Sequence, residues 1–226
     1  MSYFNELLFG IYLYLAGAVF LVGSWIRFDR DQYSWRAGSS QMLNSKGFRI
    51  ANNLFHIGIL LLFFGHLAGL LTPPAVYHAL GLSTEAKQLM AMGFGGLFGI
   101  MCFIGMTFLV VRRLTDPRVK ATSSFSDIFI LLLIYVQLIL GLLTIVVSFF
   151  HLDGSQMLLL ADWAQRIVTF RGGAAAVIAD VNWIYKLHIF LGLTMFLVFP
   201  FTRLVHIWSA PIWYLGRSYQ IVRQRG

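Results

Sequence analysis

Cysteine is almost missing from this 226-residue chain: Cys102 is the only one. No intramolecular disulfide can form. The C-x-x-C-H pattern of covalently attached haem and the cysteine sets of zinc or iron–sulfur sites are equally excluded. Charge is scarce too. Asp, Glu, Lys and Arg make up 12% of the residues, against roughly a quarter in a soluble domain, while 58% are hydrophobic and mean hydropathy is +0.76. Acidic residues number 9 against 17 basic ones, and the basic ones fall in short loops between apolar runs rather than along one surface. That distribution argues against nucleic-acid binding. Cys102, inside an apolar run, reads as a small packed hydrophobe.

What the chain has is long apolar stretches. A hydrocarbon core of about 30 Å needs about 20 apolar residues per helix, and five stretches qualify, near 4–25, 51–72, 88–111, 126–149 and 183–208. They predict an all-α fold, a single membrane domain over 1–226 built as a bundle of five transmembrane helices. Too little chain is left for a soluble catalytic module, so hard chemistry must come from a cofactor or a partner. The N-terminus lacks the basic region of a secretory signal, which predicts that it is not cleaved.

Orientation follows from the basic residues, which are retained on the cytoplasmic side. Arg27, Arg30, Arg36, Lys46 and Arg49 lie between the first two spans, Arg112, Arg113, Arg118 and Lys120 after the third, and Arg203, Arg217, Arg223 and Arg225 from the end of the fifth. The other face has Lys87, Arg166, Arg171 and Lys186. The N-terminus is therefore expected outside, on the periplasmic face, and the C-terminus in the cytoplasm.

Histidine carries most of the chemical information. His56 and His66 sit on the second stretch, and His188 and His206 on the fifth. Coordinating groups in hydrocarbon are costly and mark functional sites, although any one of them alone is as readily a hydrogen-bonded packing residue. In helices of about 1.5 Å rise the spacings correspond to about 15 Å and about 27 Å, which places two shared metals about 21 Å apart in an antiparallel pair. Eighteen residues make five whole turns, so His188 and His206 share a face, whereas His56 and His66 are about 80° apart. Pro200 should kink the fifth helix between its two histidines. The topology pairs His66 with His188 towards the outside and His56 with His206 towards the inside. Two separated imidazole pairs, with no carboxylate or thiol near them in sequence, suit bis-histidine haem better than zinc or copper, which want three or four clustered ligands. Two b-type haems are the expected cofactors.

Neighbouring residues are read in that light. Gly58, Gly65 and Gly69 would give a porphyrin clearance, as would Gly95, Gly96, Gly99, Gly141 and Gly192; ordinary small-residue helix packing explains them equally. Arg112, Arg113 and Arg203 are candidate partners for haem propionates, with snorkelling at the membrane surface as the alternative. His78 and His151 fall in outer loops and read as solvated. Lys87 on its own reads as an interfacial anchor paired with Glu85.

Several segments in order resemble one family. Gly23-Ser-Trp-Ile-Arg-Phe-Asp29, Tyr33-Ser-Trp-Arg-Ala37 with Ser40-Gln-Met-Leu43, Asn53-Leu-Phe-His56-Ile-Gly58, Phe64-Gly65-His66, Leu71-Thr-Pro73, Asp153-Gly-Ser155, the run from Trp163 to Gly173, and Phe199 to Trp208 are similar to the gamma subunit of membrane-bound respiratory nitrate reductase. The resemblance covers nearly the whole chain. It implies a quinol-oxidising cytochrome b of the bacterial cytoplasmic (inner) membrane, with the distal haem held by His66 and His188 and the proximal haem by His56 and His206. It further implies a quinol site lined by Lys87, Gly65 and His66 that draws on the menaquinol or ubiquinol pool in the lipid. The implied partners are an iron–sulfur (beta) subunit and a molybdenum catalytic (alpha) subunit that reduces nitrate, docked through Arg27 to Arg49 and Tyr214 to Gly226. Pro74, where some relatives have histidine, and Lys186, where arginine is common, depart from the pattern on the outer side. Two alternatives stay open on the residues alone: a di-haem subunit serving another soluble partner, and a transporter or anchor whose histidines relay protons or pack.

Overall fold

The computed structural model describes residues 2–210 apart from 39, 41, 42 and 44, together with 212 and 216. The docking segment expected at Tyr214 to Gly226 therefore lies, Gly216 aside, outside the described residues. Among the described residues every regular element is helical, and five helices are long and apolar enough to cross a membrane: Tyr3–Arg30, Phe48–Leu71, Thr84–Thr115, Phe125–Ser148 and Trp183–Phe201. The first and third are several residues longer than expected, the fifth shorter. The starts of the third, fourth and fifth are set by side chains that satisfy free N–H groups of the first turn. The Ser83 hydroxyl accepts from Ala86 N at 3.2 Å, the Asn182 side chain accepts from Ile184 N at 3.0 Å, and Ser124 with Asp127 forms a reciprocal capping box.

The second span packs closely on the third, the third on the fourth, the fourth on the fifth and the fifth on the first. Glycine sets the closeness of the first of these contacts. A Cβ on Gly58 would lie 2.8 Å from Cys102 Cβ, and one on Gly105 would lie 2.5 Å from the Ala51 carbonyl oxygen and 2.6 Å from Phe55 N. Gly58 is thus a helix-packing residue and not a source of clearance beside His56. Cys102 is buried against it. The lower half of the bundle, around Cys102, Met106, Ile130, Ile134 and Val205, forms one core.

A second core closes the end expected to face outside. It joins Phe9 and Tyr185 of the first and fifth spans to Trp163, Ala164 and Ile167 of the helix Ser155–Val168 and to Ala174, Ala175 and Ile178. One π-helical turn, Leu7–Ile11, sits within it, and the Phe9 carbonyl accepts a hydrogen bond from Trp163 Nε1 at 3.0 Å. The connection between fourth and fifth spans is a helical cap, which the chain's long apolar runs did not announce.

The fifth span breaks where a kink was expected. Its α-helix ends at Val198, Phe199–Phe201 is a 3-10 turn, Thr202 is extended, and Arg203–Ser209 is again 3-10. His188 and His206 therefore do not share one continuous helix face, and the five-turn phase relation fails. Proline removes a donor and clashes with the preceding turn. Carbonyls left free where the helix stops are capped from the first span: Arg27 Nη1 donates to Pro200 O at 2.5 Å and to Thr202 O at 2.9 Å.

Candidate functional site

The second and fifth spans bring His66 and His188 face to face, ring centroids 6.0 Å apart and planes 32° from parallel. A metal held between two imidazoles, with bonds of about 2 Å and ring radii of about 1 Å on each side, separates the centroids by about 6 Å. The centroid spacing is therefore that expected of two imidazoles sharing one metal. At the opposite end, His56 stands on the second span and His206 on the 3-10 segment Arg203–Ser209 that follows the fifth. Among the described residues no three of His, Cys, Asp and Glu converge; two imidazoles are the protein donor set that a haem would need.

Three of the four rings are latched in the same way. His56 Nδ1 lies 2.8 Å from Asn52 O, His66 Nδ1 2.7 Å from Leu62 O, and His206 Nδ1 2.5 Å from Arg203 O. A carbonyl oxygen only accepts, so Nδ1 must carry the proton, which leaves the Nε2 lone pair for a metal. Metal-ligating histidines ordinarily have this second contact, which fixes tautomer and ring orientation. His188 is the exception: its Nδ1 is buried with no partner.

The glycines divide into those that packing requires and those it does not. Gly99 meets Leu142, with 2.7 Å to a built Cβ, and Gly95 and Gly96 face Ile145; these belong to the third-to-fourth helix contact. Gly141 lies against His188, where a Cβ would be 3.1 Å from the ring Cε1. Gly65 and Gly69 have nothing within 4 Å of a built Cβ, so the backbone beside His66 is open.

Lys87 is half-buried, and its partner is not Glu85. Its Nζ donates to Thr72 O at 3.3 Å and stands 4.2 Å from the centre of the Tyr77 ring. Tyr77 is itself buried and joined through Thr84 Oγ1 to the exposed His78. The adjacent Gln88 is buried and donates to Ser148 O and His151 O, tying the third span to the fourth. Tyr77 escaped the sequence reading; its signal, an aromatic ten residues before an isolated outer-face lysine, is recognisable only once the turn between them is known.

The three arginines expected near haem propionates are already engaged. Buried Arg112 donates through Nε to Ser45 Oγ at 3.1 Å, through Nη1 to Ser40 Oγ at 2.8 Å, and through Nη2 to the carbonyls of Ser40 and Leu43, with its guanidinium over Phe48. It fastens the loop before the second span. Arg113 donates to Ser123 Oγ at 2.8 Å, and Arg203 faces Asp127 at 3.8 Å. Arg112, with four contacts on one loop, is a structural clamp and not a free propionate partner.

The model of the nitrate reductase gamma subunit family matches residues 5–225. The chain is 55% identical to the respiratory nitrate reductase 1 gamma chain of Escherichia coli over the full length of both, and 53% identical to the respiratory nitrate reductase 2 gamma chain of the same organism over all of this chain and 99% of that one. It is 37% identical to the nitrate reductase gamma chain of Bacillus subtilis over 98% of this chain and 99% of that one.

Proposed function

The chain belongs to the nitrate reductase gamma subunit family, and from that premise we propose that it is a di-haem cytochrome b that oxidises quinol near the outer face of the bacterial cytoplasmic membrane. Its electrons leave towards an iron–sulfur subunit and a molybdenum catalytic subunit on the cytoplasmic side, both of which it also anchors. The observation that carries this reading is the 6.0 Å face-to-face pair of His66 and His188.

His66 and His188 hold the outer haem, His56 and His206 the inner one. When bound, two haems, each held by two imidazoles, would supply one-electron carriers between the quinol and the inner face and would favour electron transfer over oxygen chemistry. The protein's own part is to bind, orient and insulate. The Lys87 ammonium, held against Tyr77 and the Thr72 carbonyl, presents a hydrogen-bond donor to a quinol oxygen. Open backbone at Gly65 lets a flat ring approach the edge of His66. Two protons leave to the outer water as two electrons pass inward, which makes turnover electrogenic. At the other face, the segment from Arg27 to Arg49, fastened by Arg112 and Arg27, offers a basic surface to the soluble subunits.

A reduced-minus-oxidised absorption spectrum of the purified subunit tests the reading directly. It should show two b-type haems, and His66→Ala or His188→Ala should remove the outer one with quinol oxidation while the inner one stays. Loss of the inner haem alone would refute the pairing.

A further inference from the structure

A short chain of proton-bearing side chains leads from beside Lys87 to the outer surface. Tyr77, buried on the helix Pro74–Ala79, has its hydroxyl 3.3 Å from Thr84 Oγ1, and Thr84 Oγ1 lies 3.3 Å from Nε2 of the exposed His78. The three groups suit one direction of donation. The phenol O–H donates to the threonine oxygen, the threonine O–H donates to Nε2, and His78 accepts as the neutral ring protonated on Nδ1.

The threonine is turned to this contact by a third segment. Gly154, in the connection between the fourth and fifth spans, has a φ of +78°, and a Cβ there would lie 2.5 Å from Thr84 Cγ2. With its methyl set against that glycine, Thr84 directs its hydroxyl to Tyr77 and His78. The local backbone does not need these bonds. Ser83 caps the third span, and the turn before it is closed by Gly81 N donating to His78 O at 2.9 Å and Leu82 N donating to Tyr77 O at 3.0 Å.

At the buried end, Lys87 Nζ stands 4.2 Å from the centre of the Tyr77 ring. A phenolic oxygen is about 2.8 Å from the centre of its own ring, which puts it about 5 Å from an ammonium over the ring face, so one quinol oxygen can lie within about 3 Å of both. The charges on the surrounding segments are ordered in the same sense. Lys87 is at the buried end, whereas exposed Glu85 and Asp153 adjoin Thr84 and Gly154, with exposed His151 on the same connection.

We propose that Tyr77, Thr84 and His78 are the route by which the protons of quinol oxidation reach the outer water. The inference rests on the quinol reading of the Lys87 site. The quinol O–H bond breaks and its proton passes to Tyr77 Oη, the tyrosine proton to Thr84 Oγ1, and the threonine proton to His78 Nε2. His78, now an imidazolium, releases a proton to water, and the two hydroxyls turn back. One electron leaves the quinol for the outer haem with each proton, and quinone remains after two.

The test uses the whole subunit in its complex, in membrane vesicles with a short-chain quinol as donor. Thr84→Val removes only a hydroxyl, Tyr77→Phe keeps the ring under Lys87, and His78→Ala removes the exit. Water at this exposed edge replaces the route in part, so each should lower kcat a few-fold at unchanged KM, short of the roughly hundredfold loss of a buried general base. Both haem spectra should be retained and the solvent deuterium isotope effect should rise. Thr84→Ser should recover most of kcat, and imidazole in the outer medium should rescue His78→Ala but not Thr84→Val. Wild-type kcat in Thr84→Val and Tyr77→Phe would overturn the proposal. So would a loss in Thr84→Val that serine does not recover and that comes with a lower thermal unfolding midpoint, the mark of a merely structural hydroxyl. A wild-type complex whose haems are not reduced by quinol would instead overturn the quinol site itself.

Discussion

Arg27 Nη1 donates to the carbonyl oxygens of Pro200 at 2.5 Å and Thr202 at 2.9 Å, while Nε and Nη2 of the same guanidinium donate to Ser34 Oγ at 3.1 Å and Ser34 O at 2.8 Å. One planar fork closes the gap that Pro200 opens in the fifth span and ties it to the turn after the first. Its fit depends on Gly23, since a Cβ there would lie 2.9 Å from the Pro200 ring. The segment it steadies, Arg203–Ser209, carries His206. Each charge-assisted hydrogen bond contributes about 1.5–3 kcal/mol. Arg27→Ala should therefore release His206, so that the absorption spectrum loses the inner haem and keeps the outer one. Arg27→Lys, a point charge without the fork, should recover only part of the inner signal. Retention of both haems in the alanine variant would show that the aromatic packing of Phe20 on Phe199 and Trp208 holds the segment by itself.

How far the sequence could be read follows from the range of each interaction. The fourth span was foreseen within a residue of each end because a long apolar run is a local signal. The fifth was not. Pro200 announces a disturbance, but whether a helix kinks or stops depends on what donates to the free carbonyls at the break, and that donor, Arg27, is more than 170 residues away. The four histidines stood out because imidazole in hydrocarbon is conspicuous, and the structure brings His66 to His188, as the alternating direction of the helical spans suggested. Lys87 was assigned to Glu85 by nearness in sequence, yet the first turn of the third span carries the ammonium towards Tyr77 and Thr72 instead. Arginines at the inner face cannot be sorted into clamps and ligand partners by position alone, since Arg112 is defined by a loop that only the folded chain brings to it.

Two glycines on the second and third spans should respond oppositely to the same substitution. A Cβ on Gly105 would press on backbone atoms of Ala51 and Phe55, at 2.5 Å and 2.6 Å, which cannot give way as a flexible side chain can. Overpacking typically costs 1–3 kcal/mol or somewhat more, so Gly105→Ala should lower the thermal unfolding midpoint in detergent by several degrees. Gly65→Ala, with open space at the Cβ position, should leave that midpoint unchanged while raising KM for quinol, because the added methyl occupies the approach to His66. Equal melting temperatures for both variants would contradict the helix contact described here.

The short inner helix Pro117–Ala121 should loosen in acid. The Asp116 carboxylate accepts from Arg118 N at 3.0 Å, capping the helix, and pairs with the Arg118 guanidinium at 3.3 Å. The side-chain hydrogen bond from Arg118 is the largest influence holding this carboxyl below its ordinary value. A folded-state value below the unfolded one contributes stability that is present above the ordinary carboxylate range, near pH 4, and is lost as pH falls through the lowered value. Amide hydrogen exchange over residues 117–122 should accordingly quicken below about pH 4. Asp116→Asn should show fast exchange at neutral pH and no further acid step; an acid step that survives in this variant would assign it to another group.

Lys87 and Glu85 give the sharpest separation between the quinol site and its surroundings. They are two residues apart at the start of the third span, so a reading based on sequence neighbours predicts that neutralising either disturbs the other. The structure turns them apart: Lys87 contacts Thr72 O and the Tyr77 ring, whereas Glu85 is exposed. Lys87→Ala removes the donor offered to a quinol oxygen, so quinol oxidation should fall by at least tenfold, as expected for loss of a charged hydrogen bond of about 1.5–3 kcal/mol, with both haem spectra retained. Tyr77→Leu removes the aromatic face under the ammonium, and an exposed cation–π contact of about 0.5–1 kcal/mol translates into a few-fold rise in KM rather than a collapse of turnover. Glu85→Gln should match the wild type in both kcat and KM. A defect in Glu85→Gln as large as that in Lys87→Ala would mean that the two act as an ion pair after all, and that Lys87 serves the membrane surface instead of the quinol.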